Sequence, residues 1–163
     1  ANFRFFAEFS KDFHEQNFLM EDATNHVIFK PVGIAGLITP WNLPLYLLSW
    51  KIAPAIVMGN TVVAKPSELT PLTANLLAEV FDEVGLPAGV VNIVHGFGHE
   101  TGQAIVSHPH VNLISFTGGT ITGKKVAETA APMFKKLSLE LGGKNATIVL
   151  DDVNLDSAIP GLA

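Results

Sequence analysis

Short apolar runs of strand length recur along the chain, and amphipathic segments of helical length separate most of them. The runs cover residues 32–38, 61–65, 90–94, 111–116, 136–141 and 146–150. Continuous apolar strands are typical of a parallel sheet that is covered on both faces. Because strands and helices alternate, the pattern predicts an α/β fold with a doubly wound, mostly parallel, Rossmann-like sheet and helices on both faces.

Helix start signals stand between the apolar runs. Asn42 and Thr70 are residue types preferred at N-caps, and Pro44 and Pro71 fit a first helical turn. We therefore predict helices over residues 44–58, 71–84, 100–107 and 120–131. The second of these carries one apolar stripe, formed by Leu72, Leu76, Leu77 and Val80.

The first 30 residues are rich in phenylalanine. Phe6, Phe9 and Phe13 recur at spacings of three and four, which predicts one helix face that packs against a neighbouring element. Residues 27–29 are predicted to form a short projecting strand. We divide the chain into this helix and strand over 1–30, a Rossmann-like core over 31–150 and the start of a helix over 151–163, and both ends look cut.

Composition and charge narrow the class of protein. Hydrophobic residues make up 48% and charged residues 15% of the 163 positions, which suits one globular α/β domain. The net charge is −5 and the Lys and Arg residues are scattered, so no nucleic acid partner is expected. Of the six His residues only His108 and His110 lie close together, and because spacing places no third ligand we predict no metal site.

Two absences bear on chemistry and location. The chain has no Cys, which excludes disulfides, thiolate metal sites and a thiol nucleophile within it. The most apolar run, Leu43–Trp50, contains Pro44 and Ser49, so it falls short of the ~18 apolar residues that a membrane span needs. The first residues show no signal-peptide pattern. We expect a soluble, cytoplasmic protein with no membrane partner.

One glutamate stands among leucines at the end of an apolar run. Glu140 is followed closely by Gly142 and Gly143, which allow the backbone to approach a ligand. Burial raises the pKa of a carboxyl group, so a buried Glu140 would be poised as a general base near neutrality. The alternative is a strand end whose glutamate points into solvent, as most glutamates do.

Other polar groups also follow predicted strands. Lys65 and Glu68 lie on a loop at a strand's carboxyl end, where doubly wound sheets bind ligands, and they could bridge two ribose hydroxyls or form a surface ion pair. The glycines before the helix at Thr120 would expose N–H groups at a positive helix terminus, which attracts a pyrophosphate. Besides capping a helix, Asn42 could donate its amide to an oxyanion.

Four short segments at the ends of these runs carry a resemblance to a known family. They are Thr39-Pro-Trp-Asn42, Lys65-Pro-Ser-Glu68, Phe116-Thr-Gly-Gly119 and Glu140-Leu-Gly-Gly-Lys144. In this order they resemble the aldehyde dehydrogenase superfamily, and the similarity is near-continuous from about residue 31 to residue 158. The run over 40–51 looks most like the branch that oxidises semialdehydes such as aminomuconic or hydroxymuconic semialdehyde.

The resemblance implies NAD-dependent oxidation of an aldehyde to a carboxylic acid. In this family a Cys thiolate attacks the aldehyde, hydride passes to the nicotinamide, and water activated by a Glu hydrolyses the resulting thioester. By motif, Glu140 would be that general base and Asn42 would supply the oxyanion amide. The implied cofactor-binding residues are Ile38, Thr39, Pro40, Trp41, Lys65, Ser67, Glu68, Gly98, Thr117, Gly118, Gly119, Leu141 and Gly142.

The resemblance also bears on cofactor choice. Lys65 and Glu68 would hold the adenosine ribose, and the Glu68 carboxylate would repel a 2′-phosphate, so NAD is expected and NADP is disfavoured. Many family members have Ser where this chain has Gly119, and Pro where it has His99. Both departures bear on cofactor affinity.

The family nucleophile is not in this chain. It lies downstream of the general base, beyond Ala163, so we expect the catalytic domain that carries it to be absent. The leading hypothesis is the cofactor-binding portion of a longer aldehyde dehydrogenase that acts on an aldehyde or semialdehyde as a homo-oligomer. The alternative is a stand-alone, non-catalytic fragment that binds dinucleotide or a partner chain.

Overall fold

Helices and strands alternate along residues 1–162, which the computed structural model of the chain describes. The helices are α1 (Asn2–Phe9), α2 (Pro44–Val57), α3 (Leu72–Glu83), α4 (Gln103–Ser107), α5 (Thr120–Ala130) and α6 (Leu155–Leu162). The strands are β1 (Gln16–Leu19), β2 (Thr24–Val27), β3 (Ile34–Ile38), β4 (Thr61–Lys65), β5 (Val91–Ile93), β6 (Val111–Thr117) and β7 (Lys136–Glu140). The last helix agrees with the prediction for this segment, of which Ala163 lies outside the described residues. None of the described helices combines the length and the apolar character that a membrane crossing requires.

Five strands form one parallel sheet in the order β5-β4-β3-β6-β7. Along the chain, the first strand of this sheet is the central strand β3, and the sheet builds outward through β4 and β5. It then returns to the other side of β3 and builds outward again through β6 and β7. Helices α2 and α3 connect the first half, and α4 and α5 connect the second. The predicted α/β fold with a doubly wound, Rossmann-like parallel sheet is confirmed.

The sheet has a hydrophobic core on each face, because its strands are apolar on both sides. On one face, Ile52 of α2 packs in a cluster with Leu37 of β3. On the other face, Val106 of α4 and Val126 of α5 form a cluster with Ile114 of β6. Both Ile52 and Ile114 are fully buried. The predicted placement of helices on both faces is therefore also confirmed.

The two predicted N-caps are wrong. Leu43 is the N-cap of α2, and no side-chain cap hydrogen bond is present there. A residue before proline is pushed toward extended backbone, and Leu43 precedes Pro44 with φ −139° and ψ 67°. Pro71 takes the N-cap position of α3, and the buried Thr70 hydroxyl has no hydrogen-bond partner within the described chain. Proline geometry at both helix starts thus displaces the expected caps, Asn42 and Thr70.

Helix α3 packs through a different face from the predicted stripe. Ala74 is buried and Leu77 is half-buried in the core cluster beside α2. Leu72, Leu76 and Val80 are exposed. Because residues three and four apart share a helix face, the packed face runs through positions 74, 77 and 81, and of the predicted stripe only Leu77 contributes to the core.

Helix α1 carries an aromatic face, but Phe13 does not belong to it. The helix ends at Phe9, and a 3₁₀ turn separates Phe13 from it. Phe6 packs edge-on against Trp50 of α2 with ring centroids 5.2 Å apart, whereas Phe9 is exposed. The ring of Phe13 lies 4.5 Å from that of Phe29 and 6.2 Å from that of Phe9. The predicted packing is therefore right for Phe6 and wrong for Phe9.

Two peripheral segments differ from the sequence predictions. Strands β1 and β2 form an antiparallel ribbon whose eight residues are all exposed, and the strand predicted over 27–29 overlaps it only at Val27. Residues 141–150 have no regular structure, so the strand predicted over 146–150 is wrong. Ile148 and Leu150 are exposed there, because no strand within the described chain pairs with this segment.

Candidate functional site

The candidate site lies at the carboxyl edge of the sheet, where the strand order reverses beside β3. Open α/β sheets bind ligands at this position. The strand register places Ile38 of β3 level with Lys65 of β4 and Phe116 of β6, and it pairs Thr117 with Glu140 of β7. The four sequence motifs, which are far apart along the chain, therefore meet at one edge of the sheet.

The segment after β3 runs from the core to the surface. Ile38 and Thr39 are buried, and the Thr39 N–H donates to the Lys65 carbonyl at 3.1 Å. Pro40 is half-buried, while Trp41 is exposed. The Thr39 hydroxyl is buried without a hydrogen-bond partner in the described chain. Because buried polar groups are normally paired, this hydroxyl is a point where a ligand or an ordered water would bond.

Lys65 and Glu68 form a pair that is half buried rather than a surface ion pair. The Lys65 side chain is only 3% exposed, and its Nζ donates to the Pro66 carbonyl at 2.9 Å and to Glu68 Oε2 at 3.3 Å. The Glu68 side chain is 42% exposed, so its carboxylate reaches solvent while the buried Lys65 holds it in place. Ser67 is buried, and its hydroxyl accepts a hydrogen bond from the Leu69 N–H at 3.3 Å, which holds the turn.

The electrostatics of this loop favour an ionised carboxylate. The pKa of Glu68 lies below its ordinary value, chiefly because its own backbone N–H donates to it. Partial burial opposes this shift, and the hydrogen bond and positive charge of Lys65 support it. Glu68 therefore presents a negative charge and free acceptor capacity at neutral pH.

A cleft of about 490 Å³ opens beside this pair, toward α4 and α5. Its buried apolar lining comes from Ile38, Val106, Phe116 and Val126. Its exposed polar lining comes from Glu68, His99, Gln103, Thr122 and Lys125. Gly98 also lines it, and open space lies where a Cβ would be. An apolar slot with a few polar groups around it is the usual form of a small-molecule site.

The loop from Thr117 to Gly119 leads into α5, of which Gly119 is the N-cap. The Gly118 N–H donates to the Glu140 carbonyl at 3.0 Å, so this donor is already used and the prediction that it is exposed to a phosphate is wrong. A Cβ on Gly118 would lie 2.5 Å from the Phe116 ring, which explains the glycine by packing. A Cβ on Gly119 would meet nothing within 4 Å, so the space before this helix terminus is open.

Glu140 is the last residue of β7, and it is exposed. Its Oε2 accepts a hydrogen bond from the Thr117 hydroxyl at 3.0 Å. The buried setting, one of the two alternatives given for this glutamate, is therefore absent from the described chain, because β7 is an edge strand with a neighbour on one side only. The exposed strand end, the alternative given above, is what the structure shows.

Leu141 and Gly142 follow Glu140 and lie against α5. A Cβ on Gly123 of α5 would lie 2.3 Å from Leu141 Cδ2, so the glycine makes room for the leucine. A Cβ on Gly142 would lie 3.2 Å from the Thr120 hydroxyl oxygen. The segment after β7 is thus held next to the first turns of α5.

Asn42, the other predicted catalytic residue, follows the carboxyl end of β3. It is exposed on the turn before α2, and no hydrogen bond joins it to Glu140 among the described residues. The described part of the chain also contains no group of three or more His, Asp or Glu side chains arranged to hold a metal ion. His108 and His110 are exposed, with ring centroids 5.5 Å apart.

A buried lysine beneath the sheet edge was missed by the sequence analysis. Lys51 of α2 is buried, and its Nζ donates to the Ser115 hydroxyl of β6 at 2.7 Å. Burial lowers the pKa of Lys51, and the negative charge of Glu140 partly opposes this. A cavity of about 350 Å³ is lined by Lys51, Ser115, Ser138 and Glu140 among others. The one available signal was a lysine that follows a strongly apolar helical run.

The residues at this edge fit a dinucleotide. The cleft offers apolar walls for a base and Glu68 for the ribose hydroxyls, and the unpaired Thr39 hydroxyl lies on the segment that leads away from the cleft. The open space at Gly119 leaves room for a phosphate near the positive N-terminus of α5. These features supply the three kinds of contact that such a cofactor needs.

The sequence matches the Aldehyde dehydrogenase family over residues 1–163. It is 55% identical over 161 residues to the 2-aminomuconic semialdehyde dehydrogenase of Homo sapiens, covering 98% of this chain and 33% of that protein. It is 50% identical over 167 residues to the 2-hydroxymuconic semialdehyde dehydrogenase of Pseudomonas sp. (strain CF600), covering 99% and 34%. The chain thus spans about a third of the length of these curated relatives.

The fold comparison agrees with the sequence comparison. The structure of an aldehyde dehydrogenase from Bacillus cereus in complex with NAD+ superposes with a TM-score of 0.88 and 44% sequence identity. That match covers 98% of this chain and 33% of the Bacillus cereus chain. With the family match over the whole sequence and the motifs gathered at one sheet edge, the chain belongs to the aldehyde dehydrogenase family.

Proposed function

We propose that this chain is the cofactor-binding portion of an NAD-dependent aldehyde dehydrogenase that oxidises an aldehyde or semialdehyde to a carboxylic acid. The observation that carries the proposal is the Lys65–Glu68 pair beside an apolar cleft at the strand-order reversal. The buried ammonium of Lys65 fixes a carboxylate where a ribose would lie. When bound, NAD supplies the hydride acceptor.

The charge of Glu68 supports NAD over NADP. An ionised carboxylate accepts hydrogen bonds from ribose hydroxyls, and it repels a 2′-phosphate. Glu68 carries this charge at neutral pH, as any glutamate with an ordinary pKa does, and the lowering of its pKa by its own backbone N–H and by Lys65 extends the charge to more acidic pH. The Ile38–Trp41 segment then lines the path from the ribose toward the reacting end of the cofactor.

Glu140 and Asn42 take the catalytic roles that the motifs imply. Glu140 accepts a proton from the water that hydrolyses the acyl intermediate, and Asn42 donates its amide to the oxyanion. Thr117 holds the Glu140 carboxylate at 3.0 Å in the conformation seen here. The nucleophile is not in this chain, which has no cysteine, so the reaction requires residues from the rest of a longer protein.

The names of the relatives and the exposed apolar surface support the proposed substrate and assembly. Two relatives carry the names of aminomuconic and hydroxymuconic semialdehyde dehydrogenases, and this supports a semialdehyde substrate. The exposed apolar residues of the ribbon β1–β2, which include Phe18 and Leu19, support a homo-oligomer. We place the enzyme in the cytoplasm.

The affinities of this chain for NAD and NADP test the proposal. In Glu68→Gln, NAD should weaken by about 10-fold or more, because a hydrogen bond to a charged group is worth roughly 1.5–3 kcal/mol, and NADP should improve. Glu83→Gln removes the same charge from the exposed end of α3 and serves as the control. Titration calorimetry measures both affinities. If the ratio of the NAD affinity to the NADP affinity is the same in Glu68→Gln and in the native chain, Glu68 does not contact the ribose.

A further inference from the structure

His99 occupies a wall of the cleft that the mechanism does not use. It lies in the π-helical segment Gly98–Gly102, where the Gly102 N–H donates to the Phe97 carbonyl at 3.3 Å. The imidazole stacks on the Phe97 ring with centroids 5.7 Å apart and an interplanar angle of 21°. Its side chain is 76% exposed. The stack holds a titratable ring at the opening of the cleft.

The fixed charges around this ring nearly cancel. Glu68 faces the cleft from the loop after β4, and Lys65 donates a hydrogen bond to its carboxylate. Lys125 lines the cleft from α5, and Glu100 Oε1 lies 3.7 Å from His99 Nε2. The two ammonium groups therefore offset the two carboxylates. The charge of His99 then decides whether the opening of the cleft is neutral or positive.

The charge of His99 reaches Glu68. The pKa of Glu68 is lowered chiefly by its own backbone N–H and next by Lys65, and the positive charge of His99 adds a smaller effect in the same direction. The two side chains line the same cleft. Protonation of the imidazole therefore offsets part of the negative charge that a 2′-phosphate would meet.

We propose that His99 makes the discrimination against a ribose 2′-phosphate depend on pH, an inference that rests on the proposed nucleotide-binding function. Histidine is the side chain whose charge changes between pH 5 and 8. At the acidic end of this range an imidazolium supplies positive charge and a donor to a 2′-phosphate. At its basic end, Glu68 repels the phosphate without this offset. A ribose with a free 2′-hydroxyl carries no charge there, so its binding changes less.

The test uses two nucleotides that isolate the ribose site. Adenosine 5′-monophosphate and adenosine 2′,5′-bisphosphate are titrated into this chain at pH 5.5 and pH 8.0 at constant ionic strength. The ratio of their dissociation constants is the measured quantity. Because a phosphate monoester also titrates near pH 6, His99→Gln serves to subtract that contribution. His110→Gln, at the opposite end of the sheet, is the matched histidine control.

When the pH is lowered, binding of the bisphosphate should strengthen relative to binding of the monophosphate. This gain should be about 1.5- to 5-fold larger in the native chain than in His99→Gln, which is the size expected of an exposed ion pair. His110→Gln should behave like the native chain. In His99→Lys the positive charge persists, so preference against the bisphosphate should be weak at both pH values. Equal pH dependence in the native chain and His99→Gln would overturn the inference alone. Failure of the monophosphate to bind at either pH would overturn the proposed function with it.

Discussion

Strand β3 and residues 146–150 have similar apolar sequences but opposite structures. β3 pairs with β4 on one side and β6 on the other, and helices cover both its faces. Residues 146–150 form no strand, and the Ile148 side chain is 83% exposed. An apolar run therefore predicts burial only where neighbouring strands and helices are present to cover it.

The largest expected effect is a difference in the free energy of unfolding between two isoleucine truncations, one in the core beside β3 and one in the segment 146–150. Ile52 of α2 is fully buried against the β3 face, so Ile52→Ala should reduce the free energy of unfolding by about 2–5 kcal/mol. Ile148→Ala removes the same atoms from an exposed position and should change it by less than about 0.5 kcal/mol. Urea denaturation followed by circular dichroism measures both. A loss of 2 kcal/mol or more in Ile148→Ala would show that this segment is packed.

The sequence predicted the parts of the molecule that depend on local pattern. The alternation of apolar runs with helical segments was sufficient for the parallel sheet, and motifs at the ends of those runs were sufficient to place Lys65 and Glu140 at one edge. The cap predictions for Asn42 and Thr70 failed although both are good capping residues. Backbone restriction next to proline decided those helix starts instead.

The remaining features depend on contacts between distant residues. Lys51 and Ser115 are 64 positions apart, and nothing local marks them as partners. The packed face of α3 runs through Ala74, a residue too small to give a strong hydrophobic signal. The leucine neighbours of Glu140 left a buried and an exposed carboxylate both open, because burial of an edge-strand residue depends on what lies beyond the strand. Single-sequence patterns do not contain this information.

The exposed ribbon provides a second test, now of association rather than stability. Strand β1 ends at Leu19, whose side chain is 87% exposed. Large exposed apolar patches promote association. We expect the native chain to self-associate. Leu19→Lys should raise the concentration for half association by about 10-fold or more, because burial of one leucine is worth roughly 1.5–3 kcal/mol. Sedimentation velocity across a concentration series measures this.

The matched control for the ribbon is Leu72→Lys, which introduces the same charge at an exposed position of α3. It should shift association less than Leu19→Lys if the ribbon is the contact surface. A native chain that sediments as a 17.4 kDa monomer at all concentrations would contradict the prediction. An equal shift in both variants would mean that net charge, rather than the ribbon, governs association.

A smaller effect is expected at a strained residue before β7. Phe134 has a φ of +53° in the left-handed region and is 95% exposed, so it gains little from packing there. Asparagine tolerates this conformation better than phenylalanine. Phe134→Asn should therefore increase the free energy of unfolding by up to about 1 kcal/mol in urea denaturation. Met133→Asn, one position earlier and right-handed in the 3₁₀ turn, should not stabilise the chain. A loss of stability in Phe134→Asn would show that the ring is packed.

The smallest expected effect comes from the buried lysine, because its contribution is detected only as a pH dependence of the free energy of unfolding. Burial lowers the pKa of Lys51 below 10.5, against the partial opposition of Glu140. The unfolded chain therefore binds more protons than the folded chain in the pH range just below 10.5, so this group makes the free energy of unfolding rise with pH across that range. Lys51→Met removes the titration. The stability of the native chain minus that of Lys51→Met should increase between pH 7 and pH 10.

Two further variants sharpen this measurement. Lys30→Met removes a positive charge from an exposed position and serves as the matched control. In Glu140→Gln the charge that opposes the shift is gone, so the pKa of Lys51 should fall further and the rise with pH should begin at a lower pH. Urea denaturation at four pH values gives these curves. A native-minus-Lys51→Met difference that falls as the pH rises would show that Lys51 is stabilised as a cation in the folded chain, and that the Ser115 hydrogen bond and the Glu140 charge outweigh its burial.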